Sequence, residues 1–351
     1  MKVAVYTIAL NEEQFIARWL ESAKEADYLL LADTGSTDHT ADLARSLGIN
    51  VYQIKISPWR FDDAKNSALN LLPSDIDVAV SLDMDEVLLP GWRNELEKSW
   101  TSNATILNHR YRHNGGEWQW HSKIHARHGC KWIGAVHEEL SWAEESLEIW
   151  NADIYLDEWQ DTQKSRRGYK DLLHKKINEG DTGWRTKYFL ANEYESIGDL
   201  DSAASWRGLS YANCEDGPVV KAYIAKNVAK NYISIGDVES AKTWLGMSYK
   251  QSPERETLYE IAKLYSSLGD HKTAYKAAQE CLDTVWRRDG FTFDPEAWGS
   301  GPYDLLALSQ YYIGHYRKAY DNGKIALKMD PNNERLIKNL EWYKGKLKNG
   351  K

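Results

Sequence analysis

The stretch SLDMDEVLL, residues 81–89, sets Asp83, Asp85 and Glu86 within four positions, directly after the apolar run DVAVSL. Like charges this close repel one another and lose hydration when partly buried, so the arrangement is costly unless a cation or hydrogen-bond donors offset it. A divalent metal is the usual partner. In an extended backbone residues i and i+2 share a side, which predicts Asp83 and Asp85 facing one site while Met84 turns into packing. That geometry suits one carboxylate on a metal and the other on a ribose or a water. Taken alone a D-x-D pair reads as a solvated acidic turn; its position at the end of an apolar run gives this one weight.

Asp33 opens DTGSTDHT (33–40) after another apolar run, and its carboxylate could accept hydrogen bonds from a nucleobase. Ser36, Thr37 and Asp38 in the same segment read as helix capping. Neither G-x-G-x-x-G nor G-x-x-x-x-G-K-[ST] occurs at the end of an apolar run, so the glycine-rich cradle of dinucleotide enzymes and P-loop NTPases is missing. A metal must then handle a diphosphate.

The elements that would position these groups alternate. KVAVYTI (2–8), DYLLLA (27–32), VYQI (51–54) and DVAVSL (77–82) are short apolar runs of the kind found in parallel strands covered on both faces. Helical patterns lie between them. Asn11 is the expected cap of the first, with Gln14 as capping-box partner and Phe15, Ile16, Trp19, Leu20 and Ala23 as its buried stripe. The second packs Ala41, Ala44 and Leu47, the third Phe61, Ala64, Ala68 and Leu72. Such alternation predicts an α/β, Rossmann-like layer sandwich with ligands beyond the carboxyl ends of the strands, where every motif above falls.

From about residue 165 only helical patterns remain. Gly198, Gly236, Gly269 and Gly314 are each followed five residues later by alanine, in GDLDSA, GDVESA, GDHKTA and GHYRKA. Glycine permits the tight turn and alanine the close packing of helical hairpins that need neighbours to bury their apolar faces. The repeats resemble tetratricopeptide units, with a closing ALKMDPNNERL at 326–336. Their spacings of 38, 33 and 45 residues imply insertions at two junctions, one of them RRDGFTFDPEAWGSGP (287–302). The expected domains are 1–160, α/β, and 161–351, all-α.

Residues 1–160 hold 14 Lys+Arg against 26 Asp+Glu, a net of −12, which disfavours broad polyanion binding by that domain. The N-terminus meets acidic residues before a signal-like apolar stretch is complete, and no segment approaches the roughly 18 apolar residues of a membrane span. The expectation is a cytoplasmic protein with no membrane span, with Cys130, Cys214 and Cys281 as reduced thiols. Six of the ten histidines, His109, His113, His121, His125, His128 and His137, lie in one strip with cations and with Tyr111, Trp118, Trp120 and Trp132. Its alternation reads as a strand with one solvated face rather than a second metal site; the strip is either an acceptor region or an amphipathic hairpin packed on the sheet.

YTIALNEEQFIARWLES, LLLADTGSTDHT, FDDAKNSALN and SLDMDEVL, in this order and spacing, resemble the nucleotide-sugar domain of family 2 glycosyltransferases, an inverting family with the GT-A fold. The resemblance covers roughly residues 1–145, and a helical-repeat tail is similar to certain bacterial and phage-type members, including peptide S-glycosyltransferases. It implies that Thr7 and Asp33 line a nucleobase pocket, that Glu12 and Lys65 lie close to the nucleoside, and that Asp83 contacts ribose or a metal-bound water. Asp85 would ligate Mn2+ or Mg2+. WIGAVHEEL (132–140) resembles a V-H-E segment of some members, which implies His137 at the metal or diphosphate and Glu138 at the acceptor as base. In an extended segment Glu138 and Glu139 would face opposite ways; Gly134 is early enough for a loop to turn Glu138 inward.

The resulting expectation is a metal-dependent hexosyltransferase using a nucleoside diphosphate sugar, UDP-linked for preference, on a peptide, protein or surface-glycan acceptor. Transfer to modified DNA bases and a catalytically inactive, repeat-based interaction protein are the alternatives. Repeat surfaces serve acceptor binding and oligomerisation alike, and both are open.

Overall fold

The computed structural model describes residues 1–101, 105–116, 118–142, 148–159, 168–286 and 292–349. They form two compact units, Met1–Glu179 and Gly180–Lys351. The 160/161 boundary expected from sequence lies in 160–167, outside the described residues, as do 287–291 of the expected insertion.

The first unit opens with the alternation β1 (Val3–Ala9), α1 (Ile16–Ala23), β2 (Tyr28–Asp33), α2 (Thr40–Ser46), β3 (Asn50–Gln53), α3 (Phe61–Asn70) and β4 (Val78–Ser81). It continues through β5 (Glu86–Leu88), α4 (Trp92–Ser99), β6 (Ile106–His113), β7 (Gln119–Ala126), β8 (Cys130–Ile133), β9 (Glu139–Trp142), β10 (Ile149–Glu158) and α5 (Tyr169–Asn178). Eight strands make one mixed sheet in the order β3-β2-β1-β4-β7-β6-β10-β5, and β8 and β9 pair separately. β3, β2, β1 and β4 run parallel, and β7 adds antiparallel to β4. Alternate residues of β1 feed two cores. Val3 and Val5 pack in the cluster that holds Ile16 and Trp19 of α1, and Ala4 and Tyr6 in the cluster that holds Ala68 and Leu69 of α3. This double burial explains the uninterrupted apolar runs of β1, β2 and β4, whereas β3, expected to be covered on both faces, lies at the edge of the sheet and is mostly exposed.

Two local expectations are corrected. Asn11 does not cap α1, which starts at Ile16 without a side-chain cap. Asn11 takes a left-handed backbone (φ 57°), and its Oδ1 accepts the amides of Thr37 at 2.7 Å and Asp38 at 3.3 Å, tying the β1–α1 loop to the β2–α2 loop. The acidic cluster, secondly, is a turn rather than extended backbone: the Glu86 amide donates to the Asp83 carbonyl at 3.0 Å, and the Asp83 amide donates to Glu86 Oε2 at 2.8 Å. Met84 is buried all the same, with Asp83 and Asp85 partly exposed on either side.

The second unit is a run of antiparallel helix pairs: α6 (Trp184–Ser196) with α7 (Leu200–Asn213), α8 (Pro218–Ile235) with α9 (Val238–Gln251), α10 (Arg255–Ser267) with α11 (His271–Asp283), and α12 (Gly301–Tyr312) with α13 (Tyr316–Met329), followed by α14 (Glu334–Asn349). Gly198, Gly236, Gly269 and Gly314 make the turns within the pairs with φ of 80°, 89°, 76° and 88°, a region that β-carbon-bearing residues rarely enter. Ala203, Ala241, Ala274 and Ala319 are all fully buried. Asp199, Asp237 and Asp270 cap the second helices by accepting the amides of Ser202, Ser240 and Thr273 at 3.1 Å. Cores are shared along the run: Ala229, Ala241 and Leu264 meet from three successive helices, as do Ala262, Ala278 and Leu306. This is tetratricopeptide-like architecture. The long junction before α12 contains a short 3-10 turn, Pro295–Trp298. Among the described residues no helix is long and apolar enough to cross a membrane, and the three cysteines are free.

Candidate active site

Three elements converge on the Lys65 ammonium. Lys65 stands on α3, 4% exposed, with its Nζ 3.2 Å from Asp83 Oδ1 beyond β4 and 2.7 Å from Glu138 Oε1 in the loop after β8. The same ammonium lies 4.8 Å over the Trp132 ring. A second buried ammonium, Lys123 on β7, sits 2.7 Å from Asp83 Oδ2 and also binds the Glu86 carboxylate. Burial alone would lower both lysines, but the carboxylates outweigh it and hold them above the ordinary lysine value. Burial likewise opposes ionisation of Asp83, yet Lys123 and Lys65 hold its carboxyl well below the usual range. Glu86 goes the other way: burial, helped by the Asp83 charge and only partly offset by Lys123, pushes it up to about 7.

The floor of the site is a hydrogen-bonded chain. Trp132 Nε1 donates to the Tyr6 hydroxyl at 2.7 Å, and that hydroxyl donates to His125 Nε2 at 2.9 Å. The assignment follows because His125 Nδ1 lies 2.8 Å from the Ala126 carbonyl and must carry the ring proton. Burial pushes His125 down to about 4, so the ring is a neutral acceptor at neutral pH.

The loop that carries Glu138 is pinned by α3. Asp62 Oδ2 accepts the Gly134 amide at 2.9 Å, the Phe61 amide donates to the Ala135 carbonyl at 3.0 Å, and Asn66 exchanges two 2.8 Å bonds with the Trp132 backbone. Gly134 (φ 109°) and His137 (φ 48°) are both left-handed, and the resulting bend turns Glu138 inward, 12% exposed, leaving Glu139 on the surface.

The remaining predicted residues are placed as follows. Thr7 is buried with its hydroxyl on the Ile8 carbonyl at 3.2 Å. Glu12 is buried, its amide donating to Thr40 Oγ1 at 2.7 Å. Asp33 is buried at the end of β2, accepting the Ser36 amide at 3.1 Å and the Gln53 side-chain amide at 2.5 Å. Asp85 is partly exposed in the acidic turn, its carbonyl accepting the Trp159 amide at 2.9 Å. The His137 ring lies 6.2 Å from that of Tyr169. Among the described residues no three His, Cys, Asp or Glu side chains form a group able to hold a metal. That is compatible with Mn2+ or Mg2+, which take one or two carboxylates and complete their shell from phosphate and water. Asp85 would be the hard oxygen donor expected from sequence, and both Asp83 oxygens bind ammoniums.

In the reading from sequence Glu86 was only one of the three clustered carboxylates, Trp132 and His125 only members of the histidine strip, and Lys123 and Tyr6 had no role. Lys123 stood in the histidine strip, which the structure divides between two faces. His109 pairs with His121 across β6 and β7, on the side that also carries Tyr111, whereas Arg110 pairs with Trp120. Arg110 stacks on Trp120 at 3.8 Å and Arg112 on Trp118 at 4.4 Å. A register shift between Leu107 and Asn108 makes room for Lys123 as an extra residue. The only advance signal was a lysine among aromatics at the spacing of a strand.

The raised Glu86 gives a pH prediction. A carboxyl whose folded value lies above its unfolded one contributes stability that is complete below about 4.5 and is lost as pH rises through about 7. Glu86→Gln removes that titration, so the fall in thermal midpoint between pH 4.5 and 7 should be shallower in the variant than in the wild type; parallel curves would show that Glu86 does not titrate there.

Residues 4–170 match the family described as Glycosyl transferase family 2. An uncharacterized glycosyltransferase of Rickettsia prowazekii (strain Madrid E), RP128, is 31% identical over 103 residues, covering 29% of this chain and 34% of its own. Prolyl 3-hydroxylase 2 of Mus musculus is 29% identical over 102 residues, covering 28% of this chain and 14% of its own. The chain thus spans about a third or less of the length of these relatives. The crystal structure of YrrB, described as a TPR protein with an unusual peptide-binding site, aligns with 50% of this chain and 84% of its own at 15% identity and a TM-score of 0.41. The match to Glycosyl transferase family 2 thus spans nearly all of the first unit, Met1–Glu179, which carries the strand ends, the acidic turn and the inward glutamate.

Proposed function

We propose that the first unit transfers a sugar, with inversion, from a nucleoside diphosphate sugar to a peptide or protein acceptor engaged by the helical repeats. The observation that carries this reading is the Lys65 ammonium held between Asp83 and Glu138, which joins a donor-side carboxylate and an acceptor-side base through one cation. Asp33 accepts the imide N–H of a uracil ring, for which UDP is the simplest nucleotide. The peptide acceptor is favoured over nucleic acid because the first domain is strongly acidic.

In the transfer, an acceptor hydroxyl or thiol attacks the anomeric carbon, the bond from that carbon to the diphosphate oxygen breaks, and the electron pair leaves with the diphosphate. Glu138 accepts the acceptor's proton. Lys65, already at the junction, stabilises negative charge on the donor side. Neutralisation of the departing diphosphate is what Mn2+ or Mg2+ would supply when bound, with Asp85 as its protein ligand. His137 holds the left-handed bend that turns Glu138 inward, and its imidazole would stand at the metal or the diphosphate.

Two substitutions test the roles. Asp85→Asn should weaken Mn2+-dependent nucleotide binding about tenfold or more and leave binding in EDTA unchanged; equal affinities in both conditions would remove Asp85 from the metal. Glu138→Gln should keep donor affinity and lower transfer roughly 100-fold or more, the scale of a lost general base. Near-wild-type transfer by that variant would move the base elsewhere, with Glu139 or His137 next.

A further inference from the structure

α5 stands outside the strand–helix alternation, and all but its first two residues lie beyond the family match. It nevertheless meets the Glu138 loop and the start of α3 from its first residue to its end. Tyr169 lies 5.6 Å from the Phe61 ring and 6.2 Å from the His137 ring, extending an aromatic row that begins with Trp59 at 5.2 Å from Phe61. Lys176 passes so close to Gly134 that a β-carbon there would come within 3.2 Å of its Nζ. Glu179, the residue that follows the helix, takes both oxygens to Arg60 at 2.7 Å. Arg60 in turn grips Asp62 at 2.9 and 2.8 Å, and Asp62 accepts the Gly134 amide. A continuous line of charge-assisted bonds therefore runs from the end of α5 to the bend that sets Glu138.

We propose that α5 is a positioning element for the Glu138 loop, clamping a bend with two left-handed residues against α3. Such a bend persists only where its surroundings over-determine it, and α3 alone supplies one side of the clamp. The proposal rests on Glu138 as the base for its catalytic consequence, but the clamp itself does not.

The test uses the full chain with Tyr169→Ala, Tyr169→Phe and the surface variant Glu179→Gln, read by amide hydrogen exchange and by kinetics. Tyr169→Ala and Glu179→Gln should speed exchange in peptides covering 132–139 roughly tenfold while peptides of β1 and β4 keep their rates. Transfer kcat should fall about fivefold or more with donor KM within about twofold, and Tyr169→Phe, which keeps the ring, should lose less loop protection and less activity than Tyr169→Ala. The proposal is overturned by wild-type loop exchange in both variants, by exchange that rises equally throughout the first unit, or by faster loop exchange with unchanged kcat in an enzyme that Glu138→Gln disables. Faster loop exchange in a protein whose Glu138→Gln variant remains fully active would remove the base assignment and leave the clamp standing.

Discussion

Two buried ammoniums cannot stay in a protein interior without carboxylates beside them, and that requirement organises the first unit. Removing one partner of a buried pair typically costs about 3–5 kcal/mol, because the charge left behind is uncompensated. Lys65 comes from α3, Lys123 from β7, Asp83 and Glu86 from the turn after β4, and Glu138 from the loop after β8. No two of these segments can be misregistered without stranding a charge. The order β1-β4-β7 and the packing of α3 on the β1 face are thus tied to the same few contacts that make the candidate site.

The same constraint gathers several of the site's contacts onto one helix. Asp62, Lys65 and Asn66 lie three and four residues apart on α3, so one helix face reaches Gly134, Glu138 and Trp132 together. Trp132 does double duty as a cation-π floor for Lys65 and as the donor that starts the Tyr6–His125 chain. In the proposed transfer, a base and a cation already held in place would avoid reorganisation during the reaction.

Features set by local chemistry were legible in the sequence. The glycine turns of the repeats and the alanines five residues later appear as expected because both answer to short-range sterics. β1, β2 and β4 were legible because double burial leaves an apolar run. Asn11 was misread because a capping box is a local pattern, whereas its side chain serves a loop 26 residues away. The role of Lys123 depends on a register shift and on partners 37 and 40 residues distant, which no window of sequence contains. α5 was grouped with the repeats because helical periodicity is the same in either unit; only its contacts with Phe61, Arg60 and Gly134 assign it to the first.

The central claim is that the strand ends around Lys65 receive a nucleoside diphosphate. A crystal structure of the full chain grown with Mn2+ and UDP tests it most directly. The account predicts the uracil against Asp33 and the diphosphate between Lys65 and Asp85, in the first unit. Nucleotide bound at any other surface, or a Lys65–Asp83–Glu138 cluster that stays closed and empty at saturating UDP, would contradict it.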